Sequence, residues 1–358
     1  MAKALFEKGV SVSVTSTTQG ILPEHSIAPG KWMNQGYGEV IYVPTSIHYL
    51  PLRLLFTTIK QMHKADIIHL TAIFYPLSWL TALINNLFFR KPVVWSPRGE
   101  LDPPALMYST YKKKTVLLLI QRLILPFGHF TFHATCEAEL RYIQNIFSKR
   151  YETILLPNYM ELPTPVSSEK DSFFLYIGRI HPKKAIENLI QALAISQLFK
   201  SSGFRLIVAG DCENEYGGKL KDLTRQLDLN RQVSFMGHIA GEAKQELLAK
   251  AYFSFMPSHS ENFGNVVVEA LSQGTPVIAS KGTPWAALEE FRAGYWIDND
   301  PHALAQIIDT ILDMSLEKYE RLSFNASRLA QEKFDVHQNI DLWIEVYEKL
   351  LQNKLNRA

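Results

Sequence analysis

Two glutamates, Glu261 and Glu269, stand with seven residues between them in the stretch 258–281, Ser-His-Ser-Glu-Asn-Phe-Gly-Asn-Val-Val-Val-Glu-Ala-Leu-Ser-Gln-Gly-Thr-Pro-Val-Ile-Ala-Ser-Lys. The apolar run 252–256 ahead of them reads as a buried strand ending at Pro257. Residues 258–264 read as a loop hinged on Gly264. Asn265 opens a helix closed near Gly274, a residue suited to a left-handed C-cap. The first turn of a helix has no internal acceptor for its amides. The amides of Gly264, Asn265 and Val266 are therefore open at the positive end of a dipole, which suits a phosphate. Carboxylates accept hydrogen bonds from sugar hydroxyls. A phosphate cradle flanked by two hydroxyl acceptors fits a nucleotide diphosphate sugar. An ordinary strand-loop-helix with surface glutamates fits the same letters, and chemistry alone does not choose between them.

A second group lies after the apolar strand 173–177: Gly178-Arg179-Ile-His-Pro-Lys-Lys184. Gly178 permits close backbone approach at a strand end. Arg179 and Lys184 put two cations at a strand-to-helix turn, where they stabilise charge growing on a leaving diphosphate. Solvated loop charges are the plainer alternative, and Lys183 is an adjacent rival to Lys184.

Glu-Asn-Phe-Gly-x4-Glu-Ala-x3-Gly-Thr-Pro-Val resembles the E-x7-E signature of retaining family 4 (group 1) glycosyltransferases, with Asn262 where the usual form has Gly. Gly178-Arg179-x4-Lys184 resembles the same family's Gly-Arg-x4-Lys motif, and this spacing favours Lys184 over Lys183. The resemblance implies the GT-B fold, two Rossmann-like doubly wound parallel-sheet domains facing a cleft. It implies that Glu269 holds the ribose hydroxyls and Glu261 the donor sugar. Phe263, Gly264, Asn265 and Val266 then line the donor, and the backbone at Gly237-His238 meets the nucleotide base. No metal or other cofactor is implied, because Arg179 and Lys184 carry the leaving charge. In the family, the Lys-Gly-x-x-Val pattern found here at 8–12 follows an opening strand and a Gly-rich loop. Neither lies in this sequence. That departure implies either an assigned start that falls too late or a truncated, inactive relative.

These motifs need elements to hold them. The alternation of apolar runs with helical segments indicates parallel sheets with helices on both faces. In the first half, strands are expected at 10–15, 39–43, 67–70, 93–95 and 130–134, with helices at 51–63 and 77–89 and a loop over 20–38. Ligands in such sheets bind outside the carboxyl ends of strands. Arg98 and Glu100, after the strand at 93–95, therefore sit where acceptor-side contacts are expected, and a guanidinium pairs with phosphate or carboxylate. Thr135 is a candidate N-cap. Prolines 157, 163 and 165 mark a boundary. The first domain spans 1–157 and is completed by the helix 336–358, whose Trp343, Tyr347 and Leu350 form its contact face. The second spans 158–335, with helices at 185–198, 214–228, 301–313 and 316–333. Asp298-Asn-Asp300 has the form of a metal-binding Asp-x-Asp, but ahead of Pro301 it reads as a helix cap.

The chain has 358 residues, enough for two domains, and a net charge of only +2, so nothing demands nucleic acid. Residues 1–160 hold 16 Lys+Arg against 9 Asp+Glu, net +7, and the rest 21 against 26, net −5. The basic half hints at an anionic partner or membrane surface. Cys136 and Cys212 support neither a disulfide framework nor a zinc site, which fits a reducing cytoplasm. The apolar stretch 67–89 breaks at Tyr75-Pro76 and reads as a buried strand and helix rather than a membrane span. The segment 108–130 combines Lys112-Lys113-Lys114 with apolar runs. It reads as a core helix with a solvated basic start, with lipid contact by the lysines as the second reading.

The sequence therefore points to a metal-independent retaining glycosyltransferase. It takes a sugar from a UDP- or GDP-type donor to a hydroxyl of a glycan or lipid-linked glycan, in surface polysaccharide assembly. It is placed in the cytoplasm or peripherally on the inner membrane face. The alternatives are a nucleotide-sugar epimerase of the same fold and an inactive nucleotide-sugar-binding protein.

Overall fold

The computed structural model describes residues 1–19, 21, 27–45, 51–107 and 110–355. The chain forms two α/β units. Unit 1 comprises Met1–Tyr159 with Asn339–Ala358, and unit 2 comprises Met160–Gln338.

Unit 1 carries strands β1 (Ser13–Thr17), β2 (Trp32–Asn34), β3 (Glu39–Val43), β4 (Ile68–Thr71), β5 (Val93–Ser96), β6 (Phe130–Ala134) and β7 (Thr153–Leu155). They make two sheets. One has the order β1-β3-β2, with β2 antiparallel, and the other is the parallel sheet β4-β5-β6-β7. The larger sheet carries the core, because β5 and β6 are buried throughout. That is the reason their letters run almost continuously apolar instead of alternating. Trp95 is fully buried, stacks on Phe132, and donates its indole N–H to Ala72 O at 2.8 Å. The helix Leu52–Met62 serves both sheets. Leu54 packs on Ile41 and Val43, Met62 joins the core around Ile68, and Thr58 and Gln61 hydrogen-bond Thr15 and Ser13. Among the described residues, β1 pairs with β3 alone and β4 with β5 alone.

The first strand falls at 13–17, three residues later than its alternation suggests at its start. β2 lies inside the stretch expected to be loop, of which residues 20 and 22–26 are outside the described residues. Thr135 is not the cap. The N-cap is Cys136, and Thr135 instead donates its amide and hydroxyl to the buried Glu139 carboxylate, both at 2.8 Å.

A chain of polar groups runs through the middle of unit 1. Its links are Tyr347 Oη to His69 Nδ1, His69 Nε2 to Ser96 Oγ, Ser96 Oγ to His133 Nδ1, and His133 Nε2 to Leu156 O, each 2.8 Å. The last link fixes every proton. Leu156 O only accepts, so His133 Nε2 carries its hydrogen and Nδ1 accepts from Ser96. Ser96 Oγ then accepts from His69 Nε2, and His69 Nδ1 accepts from the Tyr347 hydroxyl. Both imidazoles are neutral in this arrangement. Burial, joined by the charges of His133 and Arg98, pushes His69 down to about 3. Burial pushes His133 down to about 4. Trp343 is buried over both imidazoles, with ring centroids at 5.2 and 4.7 Å. The helix Val336–Leu355 is thus held on unit 1 by Trp343 and Tyr347, together with the ion pairs Lys8–Asp341 and Glu152–Lys349.

Two π-helical turns, Asn85–Phe89 and Ile120–Ile124, extend the helices Pro76–Ile84 and Thr110–Leu119. They lie side by side, since Asn86 Nδ2 donates to Ile124 O at 2.7 Å. The segment 110–127 is only partly core. Ile120, Ile124 and Leu125 are buried, but Leu118, Leu123 and Phe127 face solvent, as do Leu87 and Phe88. Phe88 is 75% and Phe127 67% exposed. Arg90, Lys112, Lys114 and Arg122 on the same segments are also exposed. Between Asp66 and Glu137 the only acidic residues are Glu100 and Asp102. Tyr108, where the basic segment was expected to begin, lies outside the described residues. No helix among the described residues is long and apolar enough to cross a membrane.

Unit 2 carries β8 (Phe173–Ile177), β9 (Arg205–Ala209), β10 (Val233–Gly237), β11 (Phe253–Met256), β12 (Val277–Ser280) and β13 (Gly294–Ile297). They form one parallel sheet, β10-β9-β8-β11-β12-β13. Apolar side chains from helices on both faces cover it in two clusters. The helix expected over 185–198 stops at Ile195. Ser196 leaves it in an extended conformation, and its hydroxyl caps a second short helix, Gln197–Ser201. Asp300 caps the helix Pro301–Leu312, accepting from His302 and Ala303 at 3.0 Å.

Candidate active site

Strand order decides where unit 2 can hold a ligand. β8 is followed by β9 on one side, while β11 packs on its other side. The loops leaving β8 and β11 therefore diverge above neighbouring strands, at the point where an open α/β sheet binds its ligand. These are the two loops that carry the motifs. His259 N donates to Lys183 O at 2.9 Å and ties them together.

The loop after β8 is built on close backbone approach. Gly178 N donates to Ala209 O at 3.0 Å, and a Cβ on Gly210 would lie 2.1 Å from Gly178 O. The Tyr176 hydroxyl donates to Arg179 O at 2.8 Å, and burial pushes that hydroxyl well above its usual range. Arg179 itself is exposed and makes no ion pair among the described residues. Lys184 ends a 3-10 turn over Pro182–Lys184 and turns inward. Its ammonium is hydrogen-bonded to Glu261, both side chains being mostly buried.

The loop after β11 turns on Gly264, whose φ is +85°. It is the backbone conformation that favours glycine here; the nearest atom to a Cβ there would be Met256 Cε at 2.4 Å, the movable end of a flexible side chain. The helix Asn265–Ser272 follows. The amides of Asn265 and Val266 have no acceptor among the described residues. The Phe263 side chain, expected to line the donor, is buried. Its ring is buried against Trp285 and Phe334, and its carbonyl accepts from Trp285 Nε1 at 2.6 Å, so it anchors the loop from beneath.

Glu269, on the second turn of that helix, lies 2.5 Å through Oε2 from Lys244 Nζ. Each carboxylate of the pair is thus matched by a lysine from another segment. Lys244 and Tyr176 were not singled out by sequence reasoning. A lysine on an amphipathic helix and a tyrosine in a buried strand carry no local mark of a site. His238 stands exposed after β10, outside these contacts.

In unit 1 the segment after β5 is strained. Arg98 has φ +56° and Gly99 φ +80°. Glu139 accepts from Gly99 N at 2.6 Å. The Arg98 guanidinium is hydrogen-bonded to Asn158, and burial draws it below its usual value against the pull of Glu139. Glu100 is spent differently from expectation. Its carboxylate accepts from the amides of Ile73 and Phe74 at 2.5 and 3.0 Å, and so caps the turn after β4 instead of facing an acceptor.

Residues 162–329 match the sequence profile of the family described as glycosyl transferases group 1. The chain is 29% identical over 317 residues to a D-inositol 3-phosphate glycosyltransferase of Kineococcus radiotolerans, covering 78% of this chain and 70% of that one. It is 28% identical over 183 residues to an uncharacterized glycosyltransferase of Methanocaldococcus jannaschii, over 50% of this chain. The match spans about half, 45%, of that relative's length. Among solved structures it resembles Anabaena HepE, solved in complex with UDP and glucose, with TM-score 0.69, 21% identity and 87% of each chain covered. At that identity the likeness speaks for the fold, the two-unit α/β architecture called GT-B.

Proposed function

From the match of residues 162–329 to the glycosyl transferases group 1 profile, we propose that this protein is a retaining, metal-independent glycosyltransferase. The reading is carried by one observation, the meeting of Lys184 after β8 with Glu261 after β11 at the point where the strand order of unit 2 reverses. The donor is a nucleotide diphosphate sugar of the UDP or GDP type. Glu269 accepts from the ribose hydroxyls and Glu261 from those of the sugar. The open amides of Asn265 and Val266 take a phosphate or sugar oxygen, and Arg179 and Lys184 balance the charge of the departing diphosphate. The bond from the sugar's anomeric carbon to the phosphate oxygen breaks as the acceptor hydroxyl attacks the same face. The leaving phosphate oxygen receives the acceptor's proton. The acceptor, a glycan or lipid-linked glycan hydroxyl in surface polysaccharide assembly, is taken by unit 1, with Arg98 on the acceptor side.

Calorimetric titration with UDP and GDP tests the donor site. One of the two nucleotides should bind, and Glu269→Ala should weaken it about 10–100-fold, the loss of hydrogen bonds to a charged acceptor. Binding unchanged in that variant would refute the assignment.

The exposed apolar residues on the π-helical turns, among cations with few acidic residues nearby, suit an anionic membrane surface. Each lysine or arginine near such a surface contributes about 1 kcal/mol. The protein should float with vesicles containing phosphatidylglycerol and not with neutral ones, and Lys112→Gln with Lys114→Gln and Arg122→Gln should abolish flotation.

A further inference from the structure

The helix Gly241–Lys250 connects β10 to β11, and the helix Asn265–Ser272 connects β11 to β12. Both crossovers run the same way along the sheet, and right-handed connections then set both helices on one face. That is how Lys244, in the first turns of one helix, reaches Glu269 on the second turn of the other. The Glu269 side chain is 15% exposed and that of Lys244 23%. Oε2 is buried and has no hydrogen bond of good geometry, although Nζ lies 2.5 Å away. The contact is therefore one of charge with charge more than an aligned bond. A solvated surface pair of this kind adds little to stability. A carboxylate oxygen sealed from water is another matter, because removing its partner leaves a buried charge uncompensated. With Oε2 committed to Lys244, the acceptor capacity of Oε1 is left for a ligand.

We infer that Lys244 is a positioning residue for nucleotide recognition: it holds the Glu269 carboxylate turned so that its open oxygen meets the ribose diol. The inference rests on the donor-site reading above. It makes Lys244 responsible for the distinction between ribose and 2′-deoxyribose, without itself touching the nucleotide.

The test is titration of UDP, GDP and their 2′-deoxy counterparts into the wild-type protein, Lys244→Met, Lys244→Arg, Glu269→Gln and the Lys244→Met/Glu269→Gln double variant. Wild type should prefer the ribonucleotide by about tenfold, one charge-assisted hydrogen bond. Lys244→Met should shrink that preference to about twofold or less, and Lys244→Arg should restore most of it. Adding Glu269→Gln to Lys244→Met should cost little more, because the two side chains act as one. If Lys244→Met unfolds the protein, Lys244→Gln, which keeps the stem and a donor without the charge, carries the same test. A Lys244→Met protein that keeps the full preference, or losses that simply multiply in the double variant, would overturn the inference. So would a wild type that binds nucleotide with no preference for ribose, which leaves the donor-site reading standing. Absence of any nucleotide binding to wild type overturns that reading and this inference with it.

Discussion

Lys184→Ala is expected to lower the rate of sugar transfer by about 10²–10³-fold, the usual cost of removing one group aimed at charge that develops in the transition state. Two facts make Lys184 the residue to test ahead of its neighbours. It is the cation of its loop that turns inward, and its partner is the carboxylate assigned to the donor sugar. Its removal thus takes charge from the leaving diphosphate and leaves Glu261, which is 19% exposed, without its counter-ion. Lys184→Arg should recover part of the rate, because charge is kept while the fit changes. Lys183→Ala should cost much less than Lys184→Ala, because the Glu261 carboxylate is paired with Lys184. The tie of Lys183 to the neighbouring loop is a backbone carbonyl, which the substitution keeps. The measurement is kcat at saturating donor. A Lys184→Ala protein that transfers as fast as wild type would remove the leaving-group role.

Acid should weaken unit 1 first. His69 and His133 are held neutral, at about 3 and about 4. Unfolded histidine takes up its proton near 6.5. Between those values the unfolded state binds more protons than the folded one, so stability present above pH 6.5 is lost as pH falls. By pH 4.5 each histidine should cost on the order of 2 kcal/mol, and the pair on the order of 4. A protonated His133 keeps its bond to Leu156 O but can no longer accept from Ser96, and the whole run of protons must reverse or break. Urea unfolding at pH 7.5, 6 and 4.5, followed through tryptophan emission, checks this. The steep loss should shrink in His69→Gln/His133→Gln relative to that variant's own stability at pH 7.5. A wild-type midpoint that is flat from pH 7.5 to 4.5 would sink the account.

The part of the molecule readable from its letters is the part fixed locally. Gly264 could be assigned to a hinge because a single backbone position requires it. Glu261, Glu269 and Lys184 could be placed near one another because two loops leave neighbouring parallel strands. Glu100 and Phe263 stood in the right loops but have other employment, on the amides of Ile73 and Phe74 and against Trp285. A loop residue's direction depends on which backbone groups nearby lack partners, and no spacing rule encodes that. Lys244 and the row His69, Ser96, His133 were invisible for a related reason. Each lies on a different helix or strand, and only packing and register bring them together. The apolar letters of 110–127 suggest a core helix, yet Leu123, in the π-helical turn, and Phe127, at the end of the 3-10 turn Leu125–Phe127, face solvent.

The divided sheet of unit 1 bears on how the protein fails when warmed. Among the described residues, β1 and β4 each have a strand on one side alone, and β1 has no fully buried residue. Such edges open at lower free energy than the interior of a continuous sheet. Unit 2 has no such seam, since its six strands run unbroken with covered faces. Unfolding on warming is then expected in two stages, with unit 1 loosening at the edge of β1 before the sheet of unit 2 opens, which scanning calorimetry would resolve as two transitions.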